Sequence, residues 1–191
     1  MTFFALLDTC VLVPSVLRDL LLELGTGPAY RPVWSDRIEN ELRQTIVELR
    51  VRRGRDPEET QAYVTRFLHQ MNTALPDARA TVEPGSEETV SGLPDPDDNH
   101  VVAAAVAGRA DVVVTFNLRD FPDDVLPGQL FSQSPDDFLL DLWGLYPALI
   151  DDAIEKILQR TGRRGPRWTR TELLDRLSRE QVPGFATLAA S

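Results

Sequence analysis

Acids standing where apolar runs end are the residues of this sequence best suited to chemistry. Asp8 follows the apolar stretch at residues 3–7. Asn117 and Asp120 follow the run Asp111-Val112-Val113-Val114-Thr115. Asp97 and Asp98 open a helical apolar pattern that leads into that run, and Glu41 lies three residues after Ile38, beside another helical stripe. Mg²⁺ and Mn²⁺ are hard cations that take oxygen ligands. Several carboxylates brought together repel one another unless a cation sits among them. A set rich in acids, with Cys10 as the single thiol, points to Mg²⁺ or Mn²⁺ and away from zinc. One or two such ions lower the pKa of water and clamp a phosphodiester.

Each acid also has a structural reading. Asp97 or Asp98, after Pro96, can serve as a helix N-cap. Glu41 can be a solvated helix charge. Asp120, near Pro122, can be a turn residue, and the pairs Asp123–Asp124, Asp136–Asp137 and Asp151–Asp152 read as caps or solvated faces. Asp8 is harder to explain this way, because an acid at a buried strand end needs a partner. Cys10 reads as a small buried apolar residue rather than a nucleophile.

The elements that must position these acids follow from pattern. The continuous apolar runs at 3–7 and 111–115 read as buried strands, with weaker candidates at 79–82 and 129–131. Pro14 opens a helix through Leu17, Leu20, Leu21 and Leu24. Ser35 is an N-cap for a helix over about 36–53, and Asp56-Pro57-Glu58-Glu59 starts another to about Met71. Residues 83–97 form a loop, and a helix follows from about 98 to 108. From about residue 135 only helices are expected, at roughly 135–143, 147–160 and 170–180. Helices alternating with short apolar strands predict an α/β fold with a mainly parallel central sheet flanked by helices in three layers. The expected division is an α/β domain over 1–133 and a C-terminal helical segment over 134–191.

Composition bounds the rest. The 191 residues are 42% hydrophobic and 26% charged, as expected for a soluble globular protein. No apolar run approaches the ~20 residues that span a bilayer, and the opening segment lacks the basic region of a signal peptide. A cytoplasmic location without membrane attachment is expected. The net charge of −10 argues against a module that lives by nonspecific phosphate contacts. It suits an enzyme that meets phosphates through a metal ion, and it suits a basic protein partner. Local positive charge is offered by Arg50, Arg52, Arg53 and Arg55, and by Arg160, Arg163, Arg164, Arg167 and Arg170. Each cluster reads equally well as a solvated face.

Four blocks in order carry a family resemblance. Leu6-Leu7-Asp8-Thr9-Cys10-Val11-Leu12 resembles the opening of a PIN domain. Trp34-Ser35 with Glu41-Leu42, then Asp95-Pro96-Asp97-Asp98, and finally Val114-Thr115-Phe116-Asn117 through Asp120-Phe121 resemble the next three blocks. The resemblance extends to VapC-type toxins with a C-terminal helical extension. It implies a Mg²⁺- or Mn²⁺-dependent endoribonuclease cutting single-stranded RNA, a cognate small antitoxin, and a homodimer. Carried over, Asp8, Glu41 and Asp98 are the main metal-binding acids, with Asp97 a near rival to Asp98. Asn117 stands where many relatives have aspartate, and Asp120 is the alternative fourth carboxylate. Thr115, Asn117 and Ser35 are candidates to orient substrate. A catalytically inactive PIN-like scaffold is the competing reading, favoured by Asn117. A phosphatase or DNA nuclease on the same acids is a third.

Overall fold

The structure is a computed structural model that describes residues 3–163 and 165–190. Four strands, β1 (Phe4–Leu7), β2 (Arg31–Val33), β3 (Val112–Val114) and β4 (Phe131–Gln133), form one sheet in the order β2-β1-β3-β4. Every pairing is parallel. The central strands β1 and β3 are apolar because both faces are covered, so alternation is lost and each buried side chain contributes about 1.5–3 kcal/mol. Ala5, Leu6, Leu7 and all three residues of β3 are buried.

Nine helices are described: α1 (Thr9–Leu12), α2 (Ser15–Gly25), α3 (Asp36–Arg52), α4 (Pro57–Ala74), α5 (Asn99–Ala107), α6 (Pro135–Leu145), α7 (Pro147–Arg160), α8 (Arg170–Arg179) and α9 (Pro183–Leu188). The chain steps from β1 outward through α2 to β2, then back past β1 through α3, α4 and α5 to β3. Right-handed crossovers in opposite directions place α2 and α5 on opposite faces of the sheet. The reversal makes the gap between the carboxyl ends of β1 and β3 the topological switch point, where α/β sheets form their sites. Asp8 and Thr115 stand at those two ends.

The second strand is not at 79–82 but at Arg31–Val33. Pro32 hid it, since proline donates no ladder hydrogen bond. In the observed register Arg31 N–H donates to Phe3 O at 2.9 Å, so the nitrogen of Pro32 faces away from β1 and loses nothing. Of the expected 79–82 strand only Arg79 pairs, in one parallel bridge with Trp34. The fourth strand lies two residues later than 129–131. Helices α1 and α9 were not anticipated; four and six residues are too short to show periodicity.

Beyond residue 134 the chain is helical and folds back on the sheet domain. Ser134 caps α6, accepting from Asp137 N at 3.1 Å, and Thr169 with Glu172 forms a capping box on α8. Phe138 from α6 meets Phe3 and Tyr30 edge-on, with centroids 6.0 and 5.1 Å apart. Ile150, Ile154, Ile157, Leu173 and Leu177 are buried in the continuous core. Glu180, just after α8, accepts from the Val16 and Leu17 amides at 3.0 and 2.7 Å and so caps α2 from the far end of the sequence. Asp136 does the same for α9, accepting from the Gly184 and Phe185 amides at 2.9 and 2.8 Å.

Candidate active site

Asp8 leaves the buried end of β1 and is only 7% exposed. Its Oδ2 accepts from Thr115 Oγ1 at 2.6 Å and from the Cys10 thiol at 3.0 Å. Thr115, fully buried after β3, accepts in turn from the Asn117 amide at 3.0 Å. These bonds satisfy one oxygen of a buried carboxylate and turn the other outward. Burial first, and then the charge of Asp8, push the Cys10 thiol up to about 12, so it stays protonated as a donor. A thiolate nucleophile has no place here.

Asp98 closes a single 3₁₀ turn, Pro96–Asp98, that leads directly into α5. It occupies the N-cap position of α5, yet its side chain caps nothing. Asp95 does the local capping instead, accepting from the Asp97 amide at 2.9 Å. Freed from that duty, the Asp98 carboxyl shares surroundings with Asp8 and Asp120. Partial burial, then the charges of Asp8, Asp120 and Asp95, raise its pKa to about 6. Asp97 is exposed, and its carbonyl accepts from Arg37 at 3.4 Å. Asp120 ends the 3₁₀ turn Leu118–Asp120 and is half-buried, whereas Asn117 is exposed.

Glu41 sits two turns into α3 and is half-buried. Its Oε2 accepts from Thr9 Oγ1 at 2.9 Å, its Oε1 from His100 Nε2 at 3.0 Å, and Arg37 Nε lies 3.5 Å away. Burial works against its ionised form, but the hydrogen bond and charge of His100, the Thr9 hydroxyl and Arg37 outweigh it and hold Glu41 below the usual carboxylate range. Ser35 is buried and used as the α3 cap, accepting from the Ile38 amide at 3.3 Å.

The structure thus sets Asp98 within electrostatic reach of Asp8 and Asp120 near the switch point, with Thr115 bonded to Asp8. Glu41 is tied in through Thr9 and His100, while Asp97 and Asn117 stay exposed. Among the described residues, neither the Asp98 nor the Asp120 carboxylate makes a hydrogen bond or ion pair. Nor do three side chains of His, Cys, Asp or Glu enclose an ion-sized space there. Thr9, Cys10 and His100 escaped the sequence reading as site neighbours. Their signal was position alone: one and two residues after Asp8, and two after Asp98. A cavity of about 400 Å³ opens beside this edge, lined by Ser35, Arg37, Arg79, Glu87 and His100 among others.

The arginine clusters are partly spoken for. Arg50 lies over the Tyr63 ring at 4.1 Å and Arg52 pairs with Glu48. Arg170 pairs with Asp151, and Arg160 pairs with Glu23 at the end of α2 remote from Asp8. Arg164 lies outside the described residues.

Comparison with known proteins agrees with this architecture. Residues 5–119 match the PIN domain, and residues 135–191 match the VapC50 C-terminal domain. Over 97 residues the chain is 46% identical to the "Putative ribonuclease VapC50" of Mycobacterium tuberculosis (strain ATCC 25618 / H37Rv). That alignment covers 48% of this chain and 53% of the relative, so the chain matches about half of that protein's length. No solved structure matches the chain. A parallel sheet with acids at its switch point, and a family match over more than half the residues, lead to one conclusion: the chain belongs to the PIN-domain family, as a VapC-type member with a C-terminal extension.

Proposed function

We propose that this protein is a Mg²⁺- or Mn²⁺-dependent endoribonuclease that cuts single-stranded RNA. The reading is supported by one observation: partial burial, and then the charges of Asp8 and Asp120, raise the pKa of Asp98 near the switch point. Repulsion of that kind is what a divalent cation reverses. The donors suit such an ion in chemical type, being carboxylate oxygens with no sulfur among them except a protonated thiol already bonded to Asp8. Asp8, Asp98 and Asp120 would hold it, with Glu41 bordering them. When bound, the ion supplies positive charge for the phosphodiester and acidifies water.

The chain's own residues do the positioning. Thr115 and Cys10 fix one oxygen of Asp8, so its other oxygen faces the crevice. Thr9 and His100 fix Glu41. Asp120 takes the role of fourth acid in place of Asn117, which is exposed and uncharged. Asp97 stays a rival to Asp98 within this proposal, and Thr115, Asn117 and Ser35 orient substrate directly or through their neighbours.

The same proposal makes the protein the toxin of a toxin–antitoxin pair, acting in the cytoplasm, with a small cognate antitoxin and a homodimeric state. What supports this is the 46% identity over 97 residues to a relative named VapC50, together with the match of residues 135–191 to the VapC50 C-terminal domain. Among the described residues no helix is long and apolar enough to cross a membrane.

Purified protein is expected to cleave single-stranded RNA with Mg²⁺ or Mn²⁺ and to stop in EDTA. Asp8→Asn is expected to lower the rate by at least about 100-fold, as loss of a group that binds charge in the reaction does. Wild-type cleavage by that variant would end the assignment. The scaffold reading, favoured by Asn117, instead expects no RNA cleavage and no Mn²⁺ binding at millimolar concentration.

A further inference from the structure

We propose that His100 is a positioning residue, and that with Thr9 it makes Glu41 a brace between the two segments that carry Asp8 and Asp98. This rests on the nuclease reading above and deepens it.

The geometry is specific. Thr9 directly follows Asp8, and His100 lies two residues after Asp98 on the first turn of α5. Each donates to a different oxygen of Glu41, Thr9 to Oε2 at 2.9 Å and His100 to Oε1 at 3.0 Å. Glu41 comes from α3, so three elements distant in sequence are joined through one carboxylate. A carboxylate only accepts, so the hydrogen between His100 and Glu41 sits on Nε2.

His100 itself is 4% exposed. Its Nδ1 is buried and has no partner among the described residues. A histidine that orients a neighbouring acid is usually held from behind by a second hydrogen bond. This ring has none, so core packing and Glu41 are what fix it. A buried imidazole with one unpaired nitrogen is an unfavourable choice for filling space. The retained contact, to Glu41, gives the ring its purpose. Arg37 does not substitute for it: its Nη1 bonds Glu87 at 2.6 Å, and its Nε stays 3.5 Å from Glu41.

The consequence concerns register between segments. The distance from the β1 end to the α5 start decides whether Asp8 and Asp98 face one another. The brace sets that distance by side-chain bonds in addition to backbone packing. Phenylalanine at position 100 would fill the volume and lose the donor. Glutamine would keep a donor of comparable reach.

The test compares His100→Phe, His100→Gln, Glu41→Leu and the double variant His100→Phe/Glu41→Leu, with Asp8→Asn as control. The expected result is a fall in kcat of about 10- to 100-fold for His100→Phe, the range for lost supporting contacts, with KM changed less than about twofold. His100→Gln should recover most of it. In the Glu41→Leu background, which has no acceptor for His100, His100→Phe should have little further effect, whereas a merely structural role would add its full loss. Mn²⁺ affinity by calorimetry, which needs no turnover, should weaken about tenfold in His100→Phe. Melting in EDTA should show the same non-additivity for the two positions. The proposal is overturned if His100→Phe matches wild type in kcat and Mn²⁺ affinity, or if His100→Gln is as impaired as His100→Phe. It is equally overturned by additive losses in the double variant. If Asp8→Asn also cleaves normally, the nuclease reading itself has failed; if only His100→Phe is normal, the brace alone has.

Discussion

Partial burial, and then the charges of Asp8, Asp120 and Asp95, raise the pKa of Asp98 from 3.8 to about 6. An acid whose folded pKa lies above its unfolded one opposes folding wherever it is ionised in the native state. That penalty is present above about pH 6 and disappears as pH falls below about 4. In EDTA, Asp98→Asn should therefore melt higher than wild type at pH 7, and the difference should close on acidification. The group is only partly buried, so screening keeps the gain to about 1 kcal/mol. Mg²⁺ should reverse the order by stabilising wild type and not the variant. Thermal melts across pH 4–7, with and without Mg²⁺, check both statements. A variant that is more stable and inactive would mark Asp98 as a site where stability has yielded to function.

Capping shows at the level of elements what the chain reveals and what it hides. Ser35 and Asp56 were legible as N-caps because their donors, Ile38 and Glu59, lie three residues on. Asp98 looked like a third and is not, since Asp95 holds the turn before it. Glu180 and Asp136 gave no local sign at all: the helices they cap begin at residues 15 and 183. The strands at 4–7 and 112–114 were readable from apolar runs, but β2 was masked by Pro32, whose missing donor matters only on the side facing β1. Within the candidate site, Asp8 and Asp98 stood out as acids at element ends, and Glu41 as an acid bordering the apolar stripe of α3. Thr9 and His100 could not, because a hydrogen bond between segments about 30 and 60 residues apart leaves no periodic trace. Glu180→Ala removes two accepted hydrogen bonds at the start of α2. It should lower stability by about 1–2 kcal/mol, seen as a lower denaturant midpoint with unchanged slope. A melting curve identical to wild type would show that the α2 amides find other acceptors.

Across the whole molecule, the helices after residue 134 are packed into the same core as the sheet. Phe138 closes the aromatic group with Phe3 and Tyr30, and α7 is pinned to α2 by Lys156 and Arg160 on Glu23. Calorimetry of the full chain should show one cooperative transition. A chain cut after residue 133 should expose the buried faces of α2 and Tyr30 and lose that transition, aggregating on concentration. Two separate melting steps would mean the halves are independent. The cap that Glu180 places on α2 also has a bearing on timing. Asp8, Glu41, Asp98 and Asp120 all leave the ribosome before Glu180 does, and synthesis at ~5–20 residues per second makes the wait last seconds. A nascent chain thus carries every acid of its crevice while the neighbouring helix still lacks its fastener, and the finished geometry belongs only to polypeptide that already includes Glu180.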